Sequence, residues 1–112
     1  MTDAIRVEGP PGLTTQLRDY RVRPDAWDEF LKAWRRQVPP LRAAHGFQVE
    51  AWTCPTEARL VWFVSYPGSV DDFEAAERAY YDSDERAAFD PDPRQFIERA
   101  DQFFVERVSL PR

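Results

Sequence analysis

The sequence predicts an α+β domain of ferredoxin-like βαββαβ topology, with both helices on one face of a four-stranded antiparallel sheet. Two stripes of apolar residues have the period of a helix, and each follows a segment rich in β-branched and aromatic residues. Proline and glycine separate these segments. The chain has 112 residues, of which 43% are hydrophobic, and this suits one domain with one modest core.

The N-terminal residues 1–13 are interpreted as a flexible leader, because they end in Gly-Pro-Pro-Gly, a run that favours turns and extended chain. The remaining residues, 14–112, are then the single domain. Residues 14–22, which read TTQLRDYRV, are predicted to form strand 1, and Pro24 ends it.

The first helix is expected to begin at about Ala26, with Asp25 as its N-cap residue. Its apolar stripe follows the spacing i, i+3, i+4, i+7, i+11 and consists of Trp27, Phe30, Leu31, Trp34 and Val38. Pro39 and Pro40 are expected to kink or interrupt the helix. Gly46 is the residue predicted to end it.

Strands 2 and 3 are predicted at residues 47–54 and 59–66. Strand 2 alternates between an apolar and a mixed face, whereas strand 3 (RLVWFVSY) is apolar on both faces, which is typical of a covered central strand. Because a chain of this length supplies no third layer, we expect a second copy to cover the outer face of the sheet.

In the second half, Ser69 is predicted to cap a helix whose buried stripe is Phe73, Ala76, Ala79 and Tyr80. The charged residues of this region are interpreted as a solvent-exposed face; they are Glu74, Glu77, Arg78, Asp82, Asp84, Glu85 and Arg86. A further turn is expected at residues 85–89, a short helix at 94–100 and strand 4 at 102–110.

Composition excludes several classes of function. The net charge of −5 makes nucleic acid an unexpected partner. The absence of an apolar run of roughly 20 residues predicts no membrane span. The single Cys54 excludes an internal disulfide and fits a reducing cytoplasm. One histidine and one cysteine are also too few for the usual transition-metal sites, so no metal is expected.

Four short motifs resemble the NIPSNAP-type branch of the dimeric α+β barrel superfamily. They are LRDY at 17–20, RPD at 23–25, HGF at 45–47 and LVWFVSY at 60–66, and the match covers about residues 14–81. Val64 stands where related strands often have a tryptophan, and this chain has Trp62 instead. The resemblance implies a dimeric α+β barrel, that is, a homodimer with a barrel interior in each subunit.

The resemblance leaves the activity open, because the superfamily includes cofactor-free monooxygenases, polyketide cyclases, haem-degrading enzymes and proteins without assigned activity. In haem-handling members the axial histidine lies on the second helix, and this chain has none there. We therefore expect no cofactor.

General acid–base chemistry is what the titratable residues can support. By strand alternation, the sheet face that a partner subunit would enclose is expected to carry Arg18, Tyr20, Glu50, Trp52, Trp62, Tyr66 and Glu106. In this hypothesis Arg18 stabilises negative charge, Tyr20 donates a proton and Glu50 accepts one. The aromatic residues Trp52, Trp62 and Tyr66 would contact the substrate. The alternative for Arg18 is a purely structural cross-strand pair with Glu50 or Glu106.

His45 is the only histidine, and it precedes Gly46 at the predicted helix end. Two interpretations stay open. The imidazole either bonds the last carbonyls of the helix, or faces the cavity and exchanges protons there as a fourth catalytic residue.

The sequence thus predicts a small cofactor-independent enzyme of the cyclase, isomerase or monooxygenase type. It would act by acid–base chemistry on an apolar or aromatic, natural-product-like molecule in the barrel cavity. The alternative is a non-catalytic homodimer of NIPSNAP type that binds a small molecule or is structural. A solidly packed interior favours the alternative, and an enclosed cavity with converging polar groups favours the enzyme.

Overall fold

The computed structural model describes residues 12–111, and within them a four-stranded antiparallel sheet carries the helices on one face. The elements in chain order are β1 (Leu13–Val22), α1 (Trp27–Ala44), β2 (Gln48–Cys54), β3 (Arg59–Pro67), α2 (Val70–Asp82), α3 (Asp84–Ala87) and β4 (Ile97–Val105). The strands lie in the order β2-β3-β1-β4, so β1 and β3 are central. The predicted ferredoxin-like βαββαβ fold is confirmed, with α3 as an added turn.

The predicted leader at residues 1–13 lies outside the described residues except for Gly12 and Leu13. Leu13 already belongs to β1, where it pairs with Pro67 at the end of β3. The first strand therefore begins one residue earlier than predicted.

Helix α1 runs without interruption through Pro39 and Pro40, so the predicted break is wrong. Val38 and Arg42, on either side of the prolines, are both buried. Proline has no backbone N–H, so the helix loses hydrogen bonds at these two positions. Packing of the flanking turns against the sheet compensates and keeps the helix continuous. Asp25 is not the N-cap residue, because it lies inside a short 3-10 turn that precedes α1.

The predicted end of α1 at Gly46 is confirmed. Gly46 has a φ of +89°, a conformation that favours glycine. Its N–H donates to the carbonyl of Ala43, and the N–H of Phe47 donates to the carbonyl of Arg42, each at 3.0 Å. These two bonds form a Schellman motif, which turns the chain directly into β2.

Helix α2 begins with the cap that the sequence predicts. The N–H of Asp72 donates to the hydroxyl of Ser69 at 3.2 Å, and the N–H of Ser69 donates to the Asp72 carboxylate at 2.9 Å. This reciprocal capping box satisfies two donors that no helical bond can satisfy.

Strand β4 differs most from the prediction. It begins at Ile97 rather than Gln102 and ends at Val105, and the predicted short helix at residues 94–100 is wrong. Only a 3-10 turn, Pro93–Phe96, remains of that helix. The residues that follow the turn pair with the central strand β1, since Ala100 lies opposite Tyr20. Pairing with an existing strand here outweighs local helix propensity.

The two faces of the sheet have different environments. The face under the helices, here called the helix face, buries Arg18 and Tyr20 from β1 and Trp62 from β3. On the opposite, outer face, Glu50 pairs with Phe63 and Trp52 pairs with Val61. The prediction that a partner-covered face carries all these residues is therefore wrong for Arg18, Tyr20, Trp62 and Tyr66, which lie on the helix face. Glu50 and Trp52 do lie on the outer face, and Glu106 lies beyond the end of β4. The apolar side of β2 faces the helices, and a change of one residue in strand phase exchanges the faces.

Candidate functional site

Glu77, near the middle of α2, joins two arginines from different elements. It accepts hydrogen bonds from Nη2 of Arg18, in β1, and from Nη1 of Arg42, in the last turn of α1. The Arg42 bond measures 2.5 Å. Arg18 and Arg42 are only 2% and 1% exposed, so this network ties the sheet to both helices inside the core.

Further polar groups complete the coordination of Arg18. Its Nε donates to the side-chain oxygen of Gln16 at 2.7 Å, and its Nη1 donates to the hydroxyl of Tyr81 at 3.1 Å. Each of the three nitrogens of Arg18 thus donates one hydrogen bond, and these bonds fix the orientation of its planar guanidinium group.

Arg42 is held mainly by aromatic rings. Its guanidinium carbon lies 3.9 Å from the ring centroid of Tyr80 and 4.7 Å from that of Phe47. These cation–π contacts replace part of the hydration that the buried guanidinium loses. Nε of Arg42 has no hydrogen-bond partner among the described residues.

The network carries a net positive charge. Burial by itself raises the pKa of Glu77, but the hydrogen bonds and charges of Arg42 and Arg18 outweigh it and hold the pKa below its ordinary value. Glu77 is therefore ionised at neutral pH, and one carboxylate faces two guanidinium groups. A second cluster also has one carboxylate for two guanidinium groups. In it, Asp92 pairs with buried Arg86 at 3.2 Å and with exposed Arg94 at 3.7 Å.

A cavity lies next to this network, between the helix face of the sheet and the helices. Its volume is about 20 Å³, which is room for one water molecule. Its aromatic walls are Tyr20, Trp34, Trp62, Tyr80 and Tyr81, and Arg42 adds a charged group. We call it the helix-side cavity. The exposed side chain of Arg94 lies at its rim.

Three residues of this cavity carry buried N–H groups without partners among residues 12–111. They are the indole nitrogens of Trp34 and Trp62 and Nε of Arg42. The two indole rings meet edge to face at 5.2 Å, and the Arg42 guanidinium carbon lies 5.7 Å from the Trp62 ring. All three groups can only donate, so the cavity is suited to a hydrogen-bond acceptor.

Tyr20 and Tyr80, two of the tyrosines that line the cavity, are protonated at neutral pH. Burial raises the pKa of Tyr80 to about 12 and also raises the pKa of Tyr20. Both hydroxyls therefore keep their protons and can donate hydrogen bonds.

The structure brings three predicted site residues, Arg18, Tyr20 and Trp62, to this region. Tyr66 shares their face of the sheet but packs against Phe47 with ring centroids 5.0 Å apart, away from the cavity. Glu50 and Trp52 are exposed on the outer face. The predicted roles of Tyr66, Glu50 and Trp52 stay predictions.

His45 ends α1, where its backbone N–H donates to the carbonyls of Leu41 and Arg42 at 3.1 Å. Its ring lies edge-on to Tyr80 at 5.6 Å and forms no hydrogen bond with another described residue. The imidazole thus touches a wall residue of the helix-side cavity from outside, and its predicted catalytic role also stays a prediction.

The predicted structural pair of Arg18 with Glu50 or Glu106 is wrong, because its carboxylate partner is Glu77. The prediction also missed Arg42, and it placed Glu77 and Arg86 on an exposed helix face. The helical phase of Arg42 and Glu77 could have predicted that both side chains face the core. Arg42 follows Val38 by four residues, and Glu77 follows Phe73 by four, so each continues an apolar stripe.

Within residues 12–111, no group of three histidine, cysteine, aspartate or glutamate side chains could hold a metal ion. The helices of this range are also too short or too polar to cross a membrane.

No protein-family model and no curated protein matches the sequence. Solved structures do match the fold. An uncharacterised NIPSNAP domain protein from Burkholderia xenovorans superposes with a TM-score of 0.75 at 18% identity, over 88% of this chain and 98% of the other. A NIPSNAP family protein from Agrobacterium tumefaciens gives a TM-score of 0.75 at 18% identity, over 86% and 93%.

A Nitrosomonas europaea protein grouped with the antibiotic biosynthesis monooxygenases has a TM-score of 0.67 at 9% identity, over 91% of this chain and 96% of the other. The chain thus has the ferredoxin-like fold of the dimeric α+β barrel proteins. The resemblance to the NIPSNAP-type branch that the sequence motifs indicate is confirmed at the level of fold.

Proposed function

We propose that the protein is a small cofactor-independent enzyme that acts on an aromatic or apolar molecule bearing an enolisable carbonyl or a phenolic oxygen. The observation that supports this proposal is the helix-side cavity, in which aromatic walls meet the buried guanidinium of Arg42. Aromatic walls favour a planar apolar ring, and a fixed positive charge stabilises the oxygen that becomes negative when such a molecule loses a proton.

In this mechanism the substrate oxygen accepts hydrogen bonds from Arg42 and the neighbouring indoles, which lowers the free energy of the enolate. Solvent water at the rim accepts the proton that the substrate loses, because no carboxylate or imidazole lines the cavity among the described residues. In a cyclase or isomerase the hydroxyl of Tyr80 or Tyr20 then returns a proton to the enolate, and solvent water reprotonates the tyrosine. In a monooxygenase the enolate reacts with O2 instead. For an anthrone, one O2 is consumed, the central CH2 becomes a carbonyl, and one water is released.

The monooxygenase form is the first to test, because structural neighbours from Nitrosomonas europaea and Caulobacter crescentus are grouped with the antibiotic biosynthesis monooxygenases. These two proteins are 9% and 15% identical to this chain. They therefore guide the choice of assay, but they do not support the role of any particular residue.

The non-catalytic alternative is favoured by the cavity volume of about 20 Å³, which admits one water but no aromatic ring. Substrate entry therefore requires the rim to open. Arg94, whose side chain is exposed, is the rim residue with room to move. In the alternative the rim stays closed, and the interior only stabilises a binding or structural homodimer.

For either function we propose a cytoplasmic homodimer joined through the outer face of the sheet. Trp52 and Phe103 are 58% and 52% exposed on this face, and Leu17, Val61 and Phe63 lie between them. An apolar surface that spans four strands gains stability when a second copy covers it.

The test is O2 uptake with anthrone, followed together with the absorbance of the anthraquinone product. We expect the protein to exceed the rate in buffer, and Arg42→Leu to lose about 10²-fold of the rate. Arg35→Leu, which changes an exposed arginine of the same helix, is the matched control and should keep the rate. Trp62→Phe serves as a second variant in case Arg42→Leu fails to fold. Thermal stabilisation by anthrone without any oxidation would support the binding alternative instead.

A further inference from the structure

We propose that the helix-side cavity binds one anionic acceptor atom, either a halide ion or the ionised oxygen of a larger molecule. The oxyanion form rests on the proposed function, because it identifies the charged part of the substrate. The halide form requires no catalysis at all.

The first reason is the set of unpaired donors. The side chains of Trp34, Trp62 and Arg42 are 4%, 1% and 1% exposed, so their N–H groups are shielded from bulk solvent. Each lacks a partner among the described residues, and each belongs to a residue that lines the same cavity. A buried donor without a partner is costly, and one acceptor placed among all three would satisfy them together.

The second reason is charge. Arg18 and Arg42 share one carboxylate, Glu77, and the second cluster beside the cavity has Arg86 and Arg94 sharing Asp92. Each cluster therefore has one more positive than negative charge. Solvent screens the charge of exposed Arg94, so the uncompensated buried charge is that of the Arg18–Arg42–Glu77 network. A buried positive charge without a counter-ion is unfavourable, so the cavity prefers an anion to a neutral water molecule.

The third reason is size. A volume of about 20 Å³ holds one atom of water size and excludes sulfate or phosphate. Indole donors and aromatic walls provide a weakly polar shell, which suits a single weakly hydrated halide ion such as chloride, for which the slightly larger bromide is the heavy-atom probe. They equally suit a phenolate or enolate oxygen whose ring stays at the rim.

Crystals of the full chain soaked in sodium bromide test the proposal directly. We expect an anomalous peak in the cavity within hydrogen-bonding distance of the three donors. In solution, bromide should raise the melting temperature relative to gluconate at equal ionic strength. This increase in melting temperature should disappear in Trp34→Phe, which removes one donor. It should persist in the control Trp27→Phe, because the Trp27 ring packs against Phe30 outside the cavity.

Density without an anomalous signal would identify water and overturn the halide form, as would equal stabilisation of Trp34→Phe and the wild type by bromide. The oxyanion form is tested separately with 4-nitrophenol, whose ionised form absorbs visible light. An increase in this absorbance on adding protein, reversed by bromide, would support the oxyanion form.

Binding of bromide without any effect on 4-nitrophenol would support the halide form alone. If neither binds, the anion proposal fails, whatever anthrone oxidation shows. If bromide binds but no anthrone is oxidised, the proposed function fails and the anion site stands.

Discussion

Arg42 and Glu77 form an ion pair in which Nη1 lies 2.5 Å from Oε1, and this pair connects the last turn of α1 to the middle of α2. Arg18 of β1 binds the other oxygen of the same carboxylate. The charged groups of this network therefore hold the two long helices to the sheet. The same groups place a net positive charge beside the helix-side cavity. Stability and the proposed chemistry depend on one carboxylate.

Glu77→Gln should lower the free energy of unfolding by about 3–5 kcal/mol, because it leaves two buried guanidinium groups without a counter-charge. Urea denaturation measures the change. The control is Glu74→Gln, an exposed position on the same helix, which should change the value by less than about 0.5 kcal/mol. Equal effects of the two substitutions would contradict a structural role for the Glu77 network.

Acid should destabilise the protein through the same carboxylate. The pKa of Glu77 is lowered in the folded protein relative to about 4.3 in an unfolded chain. Its contribution is therefore complete above the unfolded pKa and is lost as the pH falls through the folded pKa. We expect unfolding free energies, measured between pH 7 and pH 3, to fall less steeply in Glu77→Gln than in the wild type. Parallel curves would show that the pair contributes no pH dependence.

Gly46→Ala should destabilise the protein by about 1–2 kcal/mol, the usual cost of a left-handed conformation for a residue with a side chain. The added Cβ would also lie 3.2 Å from Cε1 of Tyr66. Gly12→Ala is a matched control, since Gly12 has a φ of +80° but no atom within 4 Å of the added Cβ. The difference between their melting temperatures isolates the contact with Tyr66, and a larger loss in Gly12→Ala would contradict this account.

Pro40→Ala should stabilise the protein by about 1–3 kcal/mol. Pro40 is an exposed residue inside the continuous helix α1, where proline is about 3 kcal/mol less favourable than alanine. The restriction that proline imposes on the unfolded chain offsets part of this gain. Chemical denaturation gives the value, and a loss of stability would mean that the helix depends on the proline.

Sedimentation at micromolar concentration tests the proposed dimer, which should have twice the chain mass of 13.1 kDa. Phe103→Asp places a charge in the outer face and should give monomers. Val108→Asp, which changes an exposed residue beyond β4, should leave the dimer intact. A wild-type monomer at this concentration would refute the proposal.

The sequence by itself determined the order of the strands and the two long helices, the apolar stripe of α1, the Ser69 cap and the end of α1 at Gly46. These features depend on interactions between residues a few positions apart, and such interactions are visible as spacing and residue type. That is why the ferredoxin-like fold could be predicted, together with the burial of Arg18, Tyr20 and Trp62 on a shared face.

The tertiary structure alone decided the rest. Strand β4 begins at Ile97 because β1 offers it a pairing edge, and Glu50 faces outward because β3 sets the phase of β2. Glu77 meets Arg18 across 59 residues of sequence. Helical phase places Glu77 on the buried stripe. No local sequence pattern predicts that its partner is Arg18, because the two side chains come together only when the chain folds.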